Sequence, residues 1–417
     1  MTRVAVIGAG LAGLVCALRL AQGGADVTVF SRGTGGLHLT PGMIDVLGYA
    51  PERVEAPGET LAGWVAARPE HPYAQLAGAP LEEALDWFRG VAAPLRYGGD
   101  LAANMLLPTA AGVARPTAMA PAGMAAGDLR GGRRVVAVGL RALKDFFPAY
   151  LADNLRRAAL PGGAAVEARH AVATWSPRPG ADVQGHYFAR ALDEPGARAG
   201  LAAELRAIVE PGETVLMPAV LGMRASAEAW EDLCERAGAP IAEVPTLPPC
   251  IPGMRLNLLL TRALGEAGGR MVVGPEAVGV DGSGGRIDAV RIRDAARVRA
   301  VPADHVVLAT GGFESGGVEL DSYGAVREPA LGLPVAGPPG GGRGLGPRHL
   351  DEHPLMAAGV RVDDRLRPVD ASGAPVWGNL RAAGSIIAGA VPWREKSGEG
   401  IAIAAGHRAA CTILEDT

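Results

Sequence analysis

The spacing of three glycines, Gly8, Gly10 and Gly13, constrains this chain more than any other feature. They follow Val4-Ala5-Val6-Ile7, a short β-branched run that reads as a buried parallel strand. They open a helical run from Leu14 to Gln22, which Gly23-Gly24 ends. Val27-Thr28-Val29-Phe30 reads as the next strand. A G-x-G-x-x-G pattern alone says little, but inside a βαβ unit of about 30 residues it has a mechanical meaning. The first glycine permits the tight turn, the second lets backbone approach a phosphate, and the third lets the helix pack on the strand. The helix N-terminus then offers free N–H groups and partial positive charge to that phosphate. The expected fold class is α/β, a Rossmann-type FAD/NAD(P)-binding domain with a mostly parallel sheet and an inserted α/β domain.

A chain of 417 residues has room for one large domain with an insertion, or for two domains. Hydrophobic residues make up 48% and aromatics only 4%, so the core must be aliphatic and rich in Ala. Apolar runs surround most of the 60 glycines, which suits tight strand-to-helix turns rather than disorder. The net charge is −4 and no basic cluster appears, so nucleic acid is not an expected partner. Cys16, Cys234, Cys250 and Cys411 are scattered without a C-x-x-C pair, so no iron–sulfur cluster or structural zinc can be built locally. A reduced cytosolic setting is the expectation. Arg3 before an apolar run looks like a signal peptide, yet the glycine spacing and the following strand fit a nucleotide fold better. No stretch reaches the ~18 uncharged apolar residues that span a bilayer, so membrane contact is expected only through a partner.

Past the first βαβ unit comes a glycine-rich loop, Gly33 to Gly42. Residues 60–92 read as two helices, and 107–134 as an extended crossing segment. Val135–Gly139 reads as a strand and Lys144–Leu155 as a helix. Strand and helix then alternate, ending in the strand Val215–Pro218 and a helix Ser226–Ala237. The nucleotide fold resumes with a helix Met254–Ala267, a strand Met271–Val273, a hairpin turn Asp281–Gly285 and a strand Ile287–Ile292. Val306–Leu308 runs into Ala309-Thr310-Gly311-Gly312, and Asn379–Gly384 precedes a last helix Gly400–Ile413. The expected division is 1–105 and 251–417 for the two parts of the cofactor-binding domain, with 106–250 inserted.

The second strand should end in Asp or Glu if it held an adenosine ribose; Ser31 and Arg32 stand there instead. That argues against an ordinary NAD site and is a caution against ordinary FAD binding. A hydroxyl and a cation suit a phosphate, while Ser31 touching ribose beside a solvated Arg32 stays open. The strand ending in A-T-G-G, followed by Arg381-Ala382-Ala383-Gly384-Ser385 and Ser397-Gly398-Glu399-Gly400, resembles the flavoprotein superfamily that includes fumarate reductase and succinate dehydrogenase flavoproteins. The resemblance implies a last helix aimed at the flavin pyrimidine ring, its dipole favouring the anionic reduced flavin. It also implies a second glycine loop, Gly35-Gly36 to Gly42-Met43-Ile44, wrapped round the cofactor. The implied cofactor contacts are Gly8, Gly10, Gly13, Ser31, Arg32, Gly35, Gly36, Thr40, Gly42, Thr310, Gly311, Gly384, Ser385, Gly398 and Gly400.

Further stretches resemble the B subunits of bacterial anaerobic glycerol-3-phosphate dehydrogenases. They are Leu37 to Asp45, Leu216-Met217-Pro218-Ala219, Pro245-Thr246-Leu247-Pro248-Pro249, Gly253-Met254-Arg255-Leu256, Gly316-Gly317 and Arg327 to Leu333. Pro41 and Met43 depart from the small hydroxyl residues more usual in that loop, and Gly35-Gly36 adds glycine. The resemblance implies a heterotrimer. Its A subunit carries FAD and oxidises glycerol 3-phosphate to dihydroxyacetone phosphate. Its B subunit is associated with FMN. Its C subunit holds iron–sulfur clusters and docks the pair to the cytoplasmic face of the cell membrane, passing electrons towards quinone. Ser31 agrees with FMN, which has no adenosine; FAD is the alternative. A self-contained FAD-dependent oxidoreductase and a flavin-less structural subunit are the rival readings.

Candidate chemical groups are few, and no acid/base pair is evident in the sequence. His38 lies in the glycine loop, where it could meet flavin or substrate, or serve as a hydrogen-bonded structural group. Arg255 follows Pro252 at the start of a helix, where a cation opposes the macrodipole and needs a reason. An anion site is one reason and a rim salt bridge is the other. His349 and His353 sit four apart between prolines, so a helical metal pair is not expected, and no metal centre is assigned.

Overall fold

The computed structural model describes residues 1–295, 297–337, 344–349 and 351–417. A five-stranded parallel sheet runs in the order Arg270–Val273, Asp26–Ser31, Arg3–Ile7, His305–Leu308, Leu380–Ala382. The first strand of the chain lies at its centre, with Val4 opposite Val27 on one side and His305 on the other. Such a strand is covered on both faces, which is why Val4–Ile7 is apolar throughout rather than alternating. The chain leaves it through Gly8 to Gly10 into the helix Leu11–Gln22. That helix packs against the last helix, Gly398–Glu415. The two approach closely because Gly406 abuts the Ala12 carbonyl, where a side chain would overlap it. The antiparallel strands Glu276–Ser283, Arg286–Asp294 and Arg297–Pro302 form a separate three-stranded sheet.

A second parallel sheet runs Ile241–Val244, Thr214–Pro218, Arg133–Leu140, Val166–Ala173. It carries its own apolar cluster, with Val136, Val138, Leu151, Leu205 and Leu216 among its members. The cluster round the five-stranded sheet draws on both ends of the chain, for instance Val6, Leu14, Val29, Leu260, Val307 and Ile403. Each such side chain contributes about 1.5–3 kcal/mol on burial.

Two stretches differ from the sequence expectation. Residues 60–92 hold parts of three helices, Pro57–Ala66, Tyr73–Leu76 and Ala79–Val91. The 107–134 segment is not simply extended. Met105–Pro108 and Ala114–Thr117 form a hairpin, and Met119–Pro121 pairs with Tyr97–Gly99. The Gly and Pro content marks turns: Gly112 N–H donates to the Thr109 carbonyl, and Val113 N–H to the Thr109 hydroxyl.

Arg255 is a correction. It lies on the helix Ile251–Glu266 but is only 4% exposed. Its Nη1 and Nη2 donate to the two oxygens of Glu243 at 2.7 and 2.9 Å, and its Nε to the Gly222 carbonyl at 2.8 Å. Its fork is thus already occupied by a bidentate carboxylate from the strand Ile241–Val244, and no anion site opens there. The pair joins the second sheet to the helix. Arg255→Ala leaves Glu243 buried without its partner and should cost about 3–5 kcal/mol of stability. Flavin affinity of the folded fraction should fall far less than stability does; denaturant melts and flavin titration of the variant check both.

Candidate functional site

A cavity of about 920 Å³ opens at the C-terminal ends of the central strands. The place follows from topology: parallel strands release their turns on one edge, and ligands of open α/β sheets bind in the crevice there. The first wall is Gly8-Ala9-Gly10 with Leu11 and Ala12. Gly8 has φ +113°, and a Cβ on it would overlap the Ala309 carbonyl. Gly10 differs, because a Cβ there would meet no atom within 4 Å. The backbone at Gly10 is therefore bare towards the cavity. The helix it opens has no side-chain cap, so its first N–H groups are free for a ligand.

Phe30, Ser31 and Arg32 continue the wall and meet Glu276, Ala277 and Arg293. Arg32 Nη1 donates to one oxygen of Glu276 at 3.4 Å, and Arg293 Nη1 to the other at 3.2 Å. The strand Glu276–Ser283 thus brings a carboxylate to the end of the second strand, beside Arg32. Gly35, Gly36, Leu37 and Thr40 line a further side, as do Thr310, Gly311, Gly384 and Ser385. The Thr310 hydroxyl is buried with no partner among the described residues, which is the mark of a donor awaiting a ligand.

The far end is formed by Gly398 and Glu399, at the uncapped start of the last helix, with Asp45, Arg115, Trp393 and Lys396. Asp45 is fully buried. It accepts from Arg115 Nε at 3.0 Å, again from Arg115 Nη2, and from the Thr117 hydroxyl at 2.5 Å. Burial, then the Asp45 charge, push the Glu399 carboxyl up to about 7, against the pull of Arg115. Burial, then Arg115, lower the Lys396 ammonium, which donates to the Trp393 carbonyl at 2.7 Å.

Several expected site residues lie off the cavity wall. Gly13 packs under the Gly8 carbonyl, the helix-to-strand contact its position calls for. Gly42 is buried against Pro252, and its carbonyl accepts from the Tyr97 hydroxyl at 2.6 Å. Gly400 is buried beside Tyr73 and Val46. His38 faces the helix Ile251–Glu266, its Nε2 3.3 Å from Asn257 Oδ1, a contact that anchors the loop. Both ring nitrogens of His353 are engaged within its own loop: Nε2 is 3.0 Å from the His349 carbonyl oxygen, and Nδ1 accepts from the Gly346 N–H. Asp45, Arg115, Lys396, Glu399 and Glu276 escape a reading of the sequence, since only the fold brings their distant segments together.

Uncapped helix starts, a bare glycine cradle and an orphan hydroxyl fit a phosphate-bearing dinucleotide, and they define a flavoprotein-type binding fold. The model of the FAD binding domain family matches residues 3–401. A probable anaerobic glycerol-3-phosphate dehydrogenase B subunit of Halobacterium salinarum is 33% identical, covering 99% of this chain and 98% of its own length. The anaerobic glycerol-3-phosphate dehydrogenase B subunit of Vibrio cholerae is 30% identical, covering 99% and 96%. The chain belongs to the FAD binding domain family and, within it, to the family of anaerobic glycerol-3-phosphate dehydrogenase B subunits. The 3-ketosteroid delta1-dehydrogenase of Sterolibacterium denitrificans is 12% identical over 100% of both chains, with a TM-score of 0.48. The family match supports FAD, the alternative to FMN in the sequence reading. Among the described residues no helix is long and apolar enough to cross a membrane.

The two cradle glycines should separate by substitution. Gly10→Val places its side chain in the open space, so flavin retention should fall at least about tenfold, or ~1.4 kcal/mol, with the melting temperature held. Gly8→Ala is strained and overlaps Ala309, so it should lose about 1–3 kcal/mol of stability. Flavin absorbance and thermal melts of both proteins distinguish these outcomes.

Proposed function

We propose that the chain is the flavoprotein B subunit of an anaerobic glycerol-3-phosphate dehydrogenase. In this reading it supports the oxidation of glycerol 3-phosphate to dihydroxyacetone phosphate, with the two electrons passing towards quinone. The observation that carries the reading is near-full-length similarity to relatives named as B subunits, on a chain whose cavity has the parts of a flavin site. The partners are an FAD-bearing A subunit and an iron–sulfur C subunit, which holds the assembly on the inner face of the membrane. The flavin supplies two-electron chemistry when bound. Gly8, Gly10, Thr310 and Gly311 would hold its phosphates, with Gly35, Gly36 and Thr40 along it. Gly384, Ser385 and Gly398 would face the ring. Residues 1–105 and 251–417 form the cofactor-binding domain in this reading, and 106–250 an inserted one.

Glu276 is assigned the adenosine end of FAD, together with Ser31 and Arg32. Removing a charge-assisted acceptor costs roughly 1.5–3 kcal/mol. Glu276 is more than a third exposed, and screening brings that to under about 1 kcal/mol, so Glu276→Gln should weaken FAD by roughly two- to fivefold and leave FMN affinity unchanged. Equal effects on both flavins would remove Glu276 from the adenosine site.

The subunit reading is tested by turnover. Purified chain should show flavin absorbance near ~450 nm yet little glycerol 3-phosphate-dependent dye reduction. Adding the A subunit should supply that activity. Strong dye reduction by the chain alone would support a self-contained dehydrogenase, and absence of flavin a structural role.

A further inference from the structure

The ring end of the cavity holds an unequal pair of carboxyls. Asp45 accepts from two nitrogens of Arg115 and from the Thr117 hydroxyl, while the Lys396 ammonium donates to the Trp393 carbonyl. Glu399 has no salt-bridge partner among the described residues, and it is one of the residues that line the cavity. The two are held together by backbone, since Gly400 N–H donates to the Asp45 carbonyl at 2.9 Å. Two carboxylates sharing a secluded site with one paired guanidinium do not ionise alike; the proton goes to the one without the partner. The value of about 7 for Glu399, set by burial and then Asp45, agrees with that geometry.

We propose that Glu399 is the proton-exchange residue of the flavin pocket: its carboxylate takes up a proton when the bound flavin is reduced and releases it on reoxidation. The inference rests on the chain being a flavin-loaded subunit. Oxidised flavin plus two electrons and one proton gives a ring with one negative charge. The Glu399 carboxylate plus one proton from water gives a neutral carboxyl. The reductant is a secondary alcohol, acting directly or through a partner protein; oxidation to the ketone releases the two electrons and two protons that these steps consume. At a pH above about 7, Asp45, Glu399, Arg115 and Lys396 carry two negative and two positive charges before reduction, a sum of zero. After it Glu399 is neutral and the sum is +1, opposite in sign to the charge gained by the ring. The other ionisable groups feeling Glu399 are Tyr73 and Tyr97, whose hydroxyls donate to the Val46 and Gly42 carbonyls, and Glu314 lines the rim.

The midpoint potential of the bound flavin, measured against pH with a dithionite titration, reads the proton count directly. Each proton accompanying two electrons contributes about 30 mV per pH unit. The wild-type chain should steepen towards about 60 mV per pH unit around neutrality, whereas Glu399→Gln should keep the single-proton slope throughout. Glu399→Asp should retain a steep region at a shifted pH. Equal slopes in wild type and Glu399→Gln overturn the assignment while leaving the flavoprotein reading intact. Infrared titration of the flavin-free chain decides the matter independently of loading. A carboxyl band should titrate near neutrality, vanish in Glu399→Gln, and move to lower pH in Asp45→Asn. Absence of such a band in the wild type sinks the proposal. A wild-type chain that never retains flavin fails the flavoprotein reading instead.

Discussion

The Ala309 carbonyl occupies the place where a side chain on Gly8 would lie, and this backbone contact sets the geometry of everything above it. It brings the exits of two neighbouring strands, Arg3–Ile7 and His305–Leu308, together on one edge of the sheet. A second contact, Gly13 beneath the Gly8 carbonyl, seats the helix Leu11–Gln22 on the same edge. The close crossing at Gly406 then aligns the last helix with the first. Two uncapped helix starts therefore meet one cavity, each with unpaired N–H groups and partial positive charge. Both rest on the absence of a Cβ at a few positions.

The βαβ unit is legible in the sequence because its determinants are local. A β-branched run, three glycines and an apolar helix lie within thirty-odd positions, and the observed strand and helix ends fall close to the expected ones. The helix Ser226–Ala237 is legible for the same reason, ending as it does at Gly238 in the left-handed region. The far end of the cavity is not, because Asp45, Arg115 and Glu399 come from three separated segments. In the sequence Arg115 is only an interruption in an apolar stretch, whereas the hairpin places it on a strand facing Asp45. The end of the second strand is similar: Ser31 carries no acid, and Glu276 reaches that end from another sheet, beyond any local reading. Arg255 invites an anion because a cation opposes a helix start. A stronger local signal is Glu243, a lone acid in the otherwise apolar strand Ile241–Val244, which requires a buried partner.

That partnership also links the four-stranded sheet to the glycine-rich loop that lines the cavity. Glu243 holds Arg255 on the helix Ile251–Glu266. Asn257, on the same helix, meets His38 and donates to the Thr34 carbonyl at 3.4 Å. Cys250 N–H donates to the His38 carbonyl at 2.8 Å. Gly253 packs against the Leu37 and Thr40 carbonyls, where any side chain would collide. The loop from Gly35 to Thr40 thus has its shape fixed from behind by one helix, and that helix is fixed in turn by a buried ion pair. His38 and Arg255 belong to this scaffold, which explains why polar residues at such prominent positions face away from the cavity.

The two ends of the cavity differ in what their charges can do. Arg32, Arg293 and Glu276 are each more than a third exposed, with side-chain exposures of 60%, 54% and 37%. Water and salt screen such a cluster, so it can orient a ligand but holds little electrostatic energy. At the other end Asp45 is buried and Arg115 largely so, and a charge there acts through a medium of lower dielectric. The same unit of charge gained by a ligand is felt far more strongly beside Glu399 than beside Glu276. Chemistry that changes charge is therefore governed at the buried end, while the exposed end contributes position.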